Sequence, residues 1–289
     1  LNFRIIPRLD IKGPNLVKGI HFEGLRVLGK PEAFAEYYYQ QGADELLYMD
    51  AVASLYGRNS LLDIVERTSR QIFIPLCVGG GLRSLEDIRA VLRAGADKVS
   101  INTAALENPD LIRQASRAFG SSTIVVSIEA IKHKEGQYRA YSHYGREDSG
   151  RDALDWAKEV EALGAGEIIV TAIHQEGTGK GFDLDLTRAI AQSVSIPVIA
   201  AGGAGRPEHL SQVILQGQAD AISLAALLHY NALRQGFSDY QQADFSAEGN
   251  LDFLQGVRNL GIPASMTETS LPGLKQALRT EGIMTRANA

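Results

Sequence analysis

The chain has 289 residues, 29 Lys+Arg against 34 Asp+Glu, and a formal net charge of −5. With 45% apolar and 22% charged residues it has an ordinary globular mix, which excludes a disordered chain and supplies enough apolar surface for a sizeable core. The acidic balance argues against a general nucleic-acid binder, no apolar run approaches the ~20 residues of a membrane span, and the single Cys77 excludes an intrachain disulfide or a Cys-based zinc site.

Eight short, nearly all-apolar runs follow in chain order: Arg4–Leu9, Glu45–Asp50, Pro75–Val78, Lys98–Ile101, Ile124–Ile128, Glu167–Thr171, Pro197–Ala200 and Ala221–Leu224. Such runs suit parallel strands buried on both faces. Between them, stretches such as Lys30–Gln41, Leu61–Gln71, Ser84–Ala94 and Arg151–Leu163 carry apolar residues at helical spacing, as at Ile88, Val91 and Leu92. Strand and helix in alternation imply parallel βαβ units, and eight of them imply a closed (β/α)8 TIM barrel. A barrel of about 250 residues leaves a few dozen residues over.

The order of markers repeats. Gly42-Ala43-Asp44-Glu45 returns as Gly164-Ala165-Gly166-Glu167, Ile74-Pro75 as Ile196-Pro197, and Gly80-Gly81 as Gly202-Gly203, each 122 residues on. Ala96-Asp97 returns 123 residues on as Ala219-Asp220, and Leu9-Asp10 has a looser echo in Ile128-Glu129. An ordered series at one offset predicts two similar half-barrels of four βα units. The repeats end near Tyr230. The polar segment Asn231–Thr269, with one apolar stretch at Leu251–Leu260, reads as an insertion before a terminal helix over Leu274–Thr280. One barrel domain with an appendage is therefore expected, in the cytoplasm by default since no signal pattern is visible.

Barrel active sites lie at the C-terminal ends of the strands. There the first strand ends in Asp10 and the fifth in Glu129, facing each other across the mouth, a placement suited to acid and base work on one substrate. Each could instead cap a helix or hold a loop. Asp50 and Glu176 add acid to the rim, and Lys18 could offset it. Gly79-Gly80-Gly81 and Gly202-Gly203-Ala204-Gly205 follow strands three and seven, where backbone N–H groups can approach an anion. With Asn102-Thr103 and Ala225-Ala226 they suggest two phosphate cradles, hence an elongated ligand with a phosphate at each end; a tight turn without ligand is the plainer alternative. At the other barrel end, Arg4, Glu45, Lys98 and Glu167 read from pattern alone as solvated strand starts that can pair. Cys77 is expected in the core, and no metal-ligand spacing links the six histidines, of which His174 alone falls on the rim. Neither a metal nor a cofactor is expected, and no covalent nucleophile is visible.

These residues resemble the cyclase subunit of imidazole glycerol phosphate synthase. The likeness spans about Arg4 to Tyr230, resumes over the last helix, and is most specific at Gly95-Ala96-Asp97-Lys98-Val99-Ser100-Ile101-Asn102-Thr103-Ala104-Ala105. The resemblance implies a two-phosphate ribulosyl-formimino substrate and ammonia from a glutaminase docked on the barrel floor. It further implies catalysis by Asp10 and Glu129, and a charged gate at Arg4, Glu45, Lys98 and Glu167 with Asp97 at the docking face. It assigns substrate and phosphate contacts to Lys18, Asp50, Gly80, Gly81, Asn102, Thr103, Thr171, Glu176, Gly202, Gly203, Ala225 and Ala226. Some positions depart from the family pattern. Glu129, His174 and Glu176 stand where aspartates are usual, Tyr144 where serine is, and Ala201 and Ala226 replace serines. Three readings follow: the cyclase itself, a paralogue feeding ammonia to another acceptor such as an amidine-forming step of surface-sugar synthesis, or a docking subunit that only delivers ammonia.

Overall fold

The structure is a computed structural model that describes residues 2–52, 61–133, 136–237 and 264–286. In chain order its strands are β1 (Arg4–Lys12), β2 (Asn15–Ile20), β3 (Glu23–Gly29), β4 (Leu46–Asp50), β5 (Leu76–Gly79), β6 (Lys98–Ile101), β7 (Ile124–Lys132), β8 (Tyr138–Ser142), β9 (Glu147–Asp152), β10 (Glu167–Ala172), β11 (Val198–Ala201) and β12 (Ala221–Leu224). Eight of them, β1, β4–β7 and β10–β12, pair in parallel around a ring. Pairing of β12 with β1 (Ile5↔Ile222) and of β10 with β7 (Ile168↔Val126) closes the ring, so these strands have no free edge. Every expected strand falls on a ring strand. The (β/α)8 barrel is therefore the fold.

The helices between them start where the sequence supplies caps. Ser84 and Asp87 form a reciprocal capping box ahead of Leu85–Arg93, Asp152 caps Ala153–Leu163, and Asp183 caps Leu184–Ser193. Gly164 ends the second of these helices at φ 102°, a left-handed conformation that glycine adopts without steric cost. The apolar faces of the helices pack on the outer surface of the ring around Phe34, Tyr38, Trp156 and Leu186. Inside the ring, a separate layer of Ile6, Leu47, Cys77, Val125, Ile169 and Ile199 fills the barrel, with Cys77 buried as expected. No helix among the described residues is long and apolar enough to cross a membrane.

Two hairpins were not expected. β1 and β7 run three and four residues past their expected ends because each pairs antiparallel with a further strand: β2 with β1, and β8 with β7. β3 and β9 complete the two hairpins. Their turns are equivalent. His21 and Phe22 have φ of 52° and 64°, and His143 and Tyr144 have 52° and 58°, at the same offset of 122 that orders the repeats. Each half thus carries a hairpin on its first strand, and the two tips meet over the mouth, with the Phe22 and Tyr144 ring centroids 4.3 Å apart.

Of the expected insertion, Asn231–Arg234 completes the helix Ala226–Arg234, and residues 238–263, with the apolar stretch Leu251–Leu260, lie outside the described residues. The terminal helix runs over Leu271–Thr280. Its Lys275 is 1% exposed and donates to Asp44 Oδ1 at 2.8 Å and to the Gly42 carbonyl at 2.7 Å, pinning the helix to the start of β4. Removing one partner of a buried pair strands the other charge. Lys275→Ala is expected to lower stability in urea unfolding by about 3–5 kcal/mol, and adding Asp44→Asn should recover part of that loss.

Candidate active site

The two ends of the barrel hold charges of both signs. At the N-terminal end, Arg4 bonds Glu45 at 2.9 Å and Glu167 at 2.8 Å, while Lys98 bonds the same two carboxylates at 3.1 and 2.9 Å. The four strand starts are a closed ring, not separately solvated side chains. Burial works against the charges of Arg4 and Lys98, but the two glutamates outweigh it and hold both cations above their ordinary pKa. A hollow of about 350 Å³ opens outside this ring between Phe3, Arg4, Glu45, Pro75, Lys98 and Arg286. The exposed Asp97 lies on the same face, and its Oδ2 accepts the Leu76 N–H at 2.9 Å. Asp44 and Asp220 do the same for the N–H groups of Ile5 and Val198, so Asp97 belongs to a device that fixes strand starts.

At the opposite end Asp10 is fully buried. Arg8 Nε donates to its Oδ1 at 2.8 Å and Lys18 Nζ to its Oδ2 at 3.1 Å. Lys18 also bonds Glu176. Burial alone would raise the Asp10 pKa; Arg8 and then Lys18 overturn that and hold it at about 2. Glu129, on the facing strand β7, goes the other way. Burial and the Asp10 charge outweigh Arg8 and a hydrogen bond from the Gly145 N–H, and its pKa rises to about 7. Its Oε2 has no partner among the described residues. The two carboxylates therefore sit in opposite protonation states at pH somewhat below neutrality.

Two cavities flank this pair. The larger, about 280 Å³, is lined by Asp50, Gly80, Gly81, Asn102, Thr103 and Glu129, together with His143 and Tyr144. The smaller, about 20 Å³, is lined by Thr171, Glu176, Gly202, Gly203, Ala225 and Ala226, together with Arg8 and Ser223. Glycine is required at these loops. A Cβ on Gly80, at φ 96°, would meet the Asp50 carbonyl at 2.6 Å, and one on Gly203, at φ 107°, would meet that of Gly181 at 2.0 Å.

Several expected positions differ in detail. Asp10 and Lys18 line neither cavity, because they are spent on each other and on Arg8 and Glu176. Asn102 donates to the Tyr141 carbonyl and Thr103 accepts the His143 N–H, so both hold the β8–β9 hairpin as well as lining the cavity. His174 follows the C-terminal end of β10, on the rim, where its Nε2 lies 3.2 Å from Asp183 Oδ2 and it lines neither cavity. Arg8, which the sequence reading passed over, is the residue most closely tied to Asp10.

Comparison with known proteins fits this geometry. Residues 4–234 match the family described as Histidine biosynthesis protein. The chain belongs to that family. Among its relatives, the imidazole glycerol phosphate synthase subunit HisF of Legionella pneumophila is 57% identical over 73% of this chain and 99% of its own length. The HisF proteins of Methanocaldococcus jannaschii and Trichormus variabilis are 49% and 51% identical, over 80% and 81% of this chain and 92% of their own lengths. The HisF resemblance seen in the sequence thus holds over the barrel, and the family match stops at the end of the helix Ala226–Arg234.

The raised Glu129 pKa makes the stability of this HisF-family barrel depend on pH. The native state retains the Glu129 proton between about 4.5 and 7 while the unfolded state has lost it, so this group's contribution to stability falls as pH rises through that window. Glu129→Gln, which cannot ionise, is expected to be more stable than the wild type by on the order of 2–3 kcal/mol near pH ~8. The gap should close towards pH ~5 in urea unfolding.

Proposed function

We propose that the chain is the cyclase subunit of an imidazole glycerol phosphate synthase. It takes ammonia from a glutaminase docked on the N-terminal face, around Asp97 and the hollow outside the Arg4–Glu45–Lys98–Glu167 ring. The observation that carries this reading is the pairing of the two barrel ends. A charged ring that can gate a small neutral molecule stands at one end, and a buried pair of carboxylates, one ionised and one protonated, stands between two glycine cradles at the other.

The substrate, a ribulosyl-formimino aminoimidazole carboxamide ribonucleotide with two phosphates, spans the mouth with one phosphate towards Gly80–Gly81 and the other towards Gly202–Gly203. Ammonia adds to its carbonyl carbon. Glu129, protonated near neutrality and lining the larger cavity, gives the proton with which the carbonyl oxygen departs as water, leaving an imine. Asp10 takes a proton back during elimination and ring closure. The products are imidazole glycerol phosphate and aminoimidazole carboxamide ribotide. Because Asp10 is engaged by Arg8 and Lys18, its share of this work begins when the substrate's anionic groups compete for those cations.

A second reading is a paralogue with the same floor but a different acceptor, since the altered positions (Glu129, His174, Tyr144 and Glu176) lie at the mouth and spare the floor ring. Rescue of a histidine auxotroph lacking the cyclase separates the two: growth supports the cyclase and removes the paralogue. In vitro, the purified chain should turn over the bisphosphorylated substrate with an ammonium salt, and Glu129→Gln should cut the rate by about 10²–10⁴. Absence of turnover with both cradles occupied would contradict the cyclase reading.

A further inference from the structure

Arg8 enters the cyclase reading only through its bond to Asp10, and the inference drawn from its remaining donors rests on taking the barrel mouth as the substrate site. Side chains alternate along a strand, and Arg4, Ile6, Arg8 and Asp10 of β1 share the inward face. Arg8 is 3% exposed. Its Nε is committed to Asp10, and its guanidinium carbon lies 5.2 Å from the centre of the Phe22 ring. Its Nη2 is buried and has no partner among the described residues.

Two more buried polar atoms without partners, Thr171 Oγ1 and Ser223 Oγ, belong to residues that line the same small cavity as Arg8. A buried donor left unmade costs about 1–3 kcal/mol, and more when charged, so three around one hollow mark a place where a ligand completes the bonding. The surrounding groups are donors. The guanidinium can only donate, hydroxyls can donate, and the helix Ala226–Arg234 begins at Ala225 with no side-chain cap on its first N–H groups. Ala201, Ala225 and Ala226 offer no hydroxyl, and Arg8 is the one cation among the lining residues. Glu176, the one anion there, is paired with Lys18. With the one carboxylate there paired to Lys18, an unpaired guanidinium donor beside two hydroxyls and a helix start is complementary to an oxyanion. At about 20 Å³ the cavity admits one water-sized atom, so a single anion oxygen enters while the rest of the group lies over the Gly202–Gly203 backbone.

We propose that Arg8 binds a terminal oxyanion of the substrate, a phosphate or a carboxylate, through Nη2 while its Nε holds Asp10, and that it thereby sets which substrates this chain accepts. The same guanidinium then links the two events: an anion on Nη2 draws positive charge away from Asp10 and makes that carboxylate a better base once the site is loaded.

Calorimetric titration with inorganic phosphate, and separately with acetate, reads the site without turnover. Phosphate at the Gly80–Gly81 cradle is expected to persist in every variant. Arg8→Gln should weaken one class of sites tenfold or more, for phosphate or for acetate according to which anion the cradle prefers. Arg8→Lys, which keeps a charge beside Asp10 but loses the forked donor, should weaken it less. Unchanged binding of both anions in a folded Arg8→Gln protein overturns the proposal. If Arg8→Gln does not fold, wild-type binding in Arg8→Lys overturns it instead. Arg8-dependent binding without cyclase turnover would sink the cyclase reading and leave this one standing; turnover with Arg8-independent binding would do the reverse.

Discussion

Asp10 keeps its negative charge in a place sealed from water because Arg8 and Lys18 each occupy one of its oxygens. Taken out of solvent singly, any of these groups would be driven towards its neutral form. Together with Glu176 on Lys18, they form a set of two cations and two anions that balances. The floor ring balances in the same way, with Arg4 and Lys98 against Glu45 and Glu167. The mouth also holds Glu129, buried beside this set. Burial disfavours the Glu129 charge most, Arg8 offsets part of that, and Asp10 and Glu176 add to it, so the proton stays on to near neutrality. The division between an ionised and a protonated carboxylate follows from burial of both and from Arg8 and Lys18 lying against Asp10.

Burial in turn depends on the two hairpins. Phe22 and Tyr144 meet tip to tip, and with Val17, Val27, Ala51 and Ile173 they form a small apolar cluster above the polar groups. The hairpins are equivalents in the two halves, so the cover over the mouth is built from the same repeat as the barrel. Asn102, donating to the Tyr141 carbonyl, and Thr103, accepting from the His143 N–H, anchor one of them. Water exclusion, which strengthens every electrostatic interaction beneath, is thus a property of the repeat as much as of the residues that face the ligand.

The barrel was legible because its signals are redundant. Eight apolar runs, Gly-Ala turns and a constant offset all point to one architecture, and the floor residues Arg4, Glu45, Lys98 and Glu167 are fixed by position in that architecture. The facing pair Asp10 and Glu129 was legible for the same reason. Arg8 was not, because one arginine between Pro7 and Leu9 reads as an interruption of an apolar strand, and only the inward face shared with Asp10 gives it meaning. The hairpins were missed although His21-Phe22 and His143-Tyr144 carry the repeat offset; two polar-aromatic pairs give no periodicity, and their left-handed backbone is invisible without coordinates. His174 falls on the rim by counting from β10, but its bond to Asp183 is not legible in the sequence. What sequence position cannot supply is the direction in which a long side chain spends its charge.

The opposite protonation states of Asp10 and Glu129 are the centre of this account, and side-chain carboxyl carbon NMR of the labelled full chain reads them directly. Titrated through pH, the Glu129 signal should move with a midpoint near 7, and the Asp10 signal should stay in its ionised position until pH approaches about 2. Two carboxyls titrating together near the ordinary value of about 4 would contradict it.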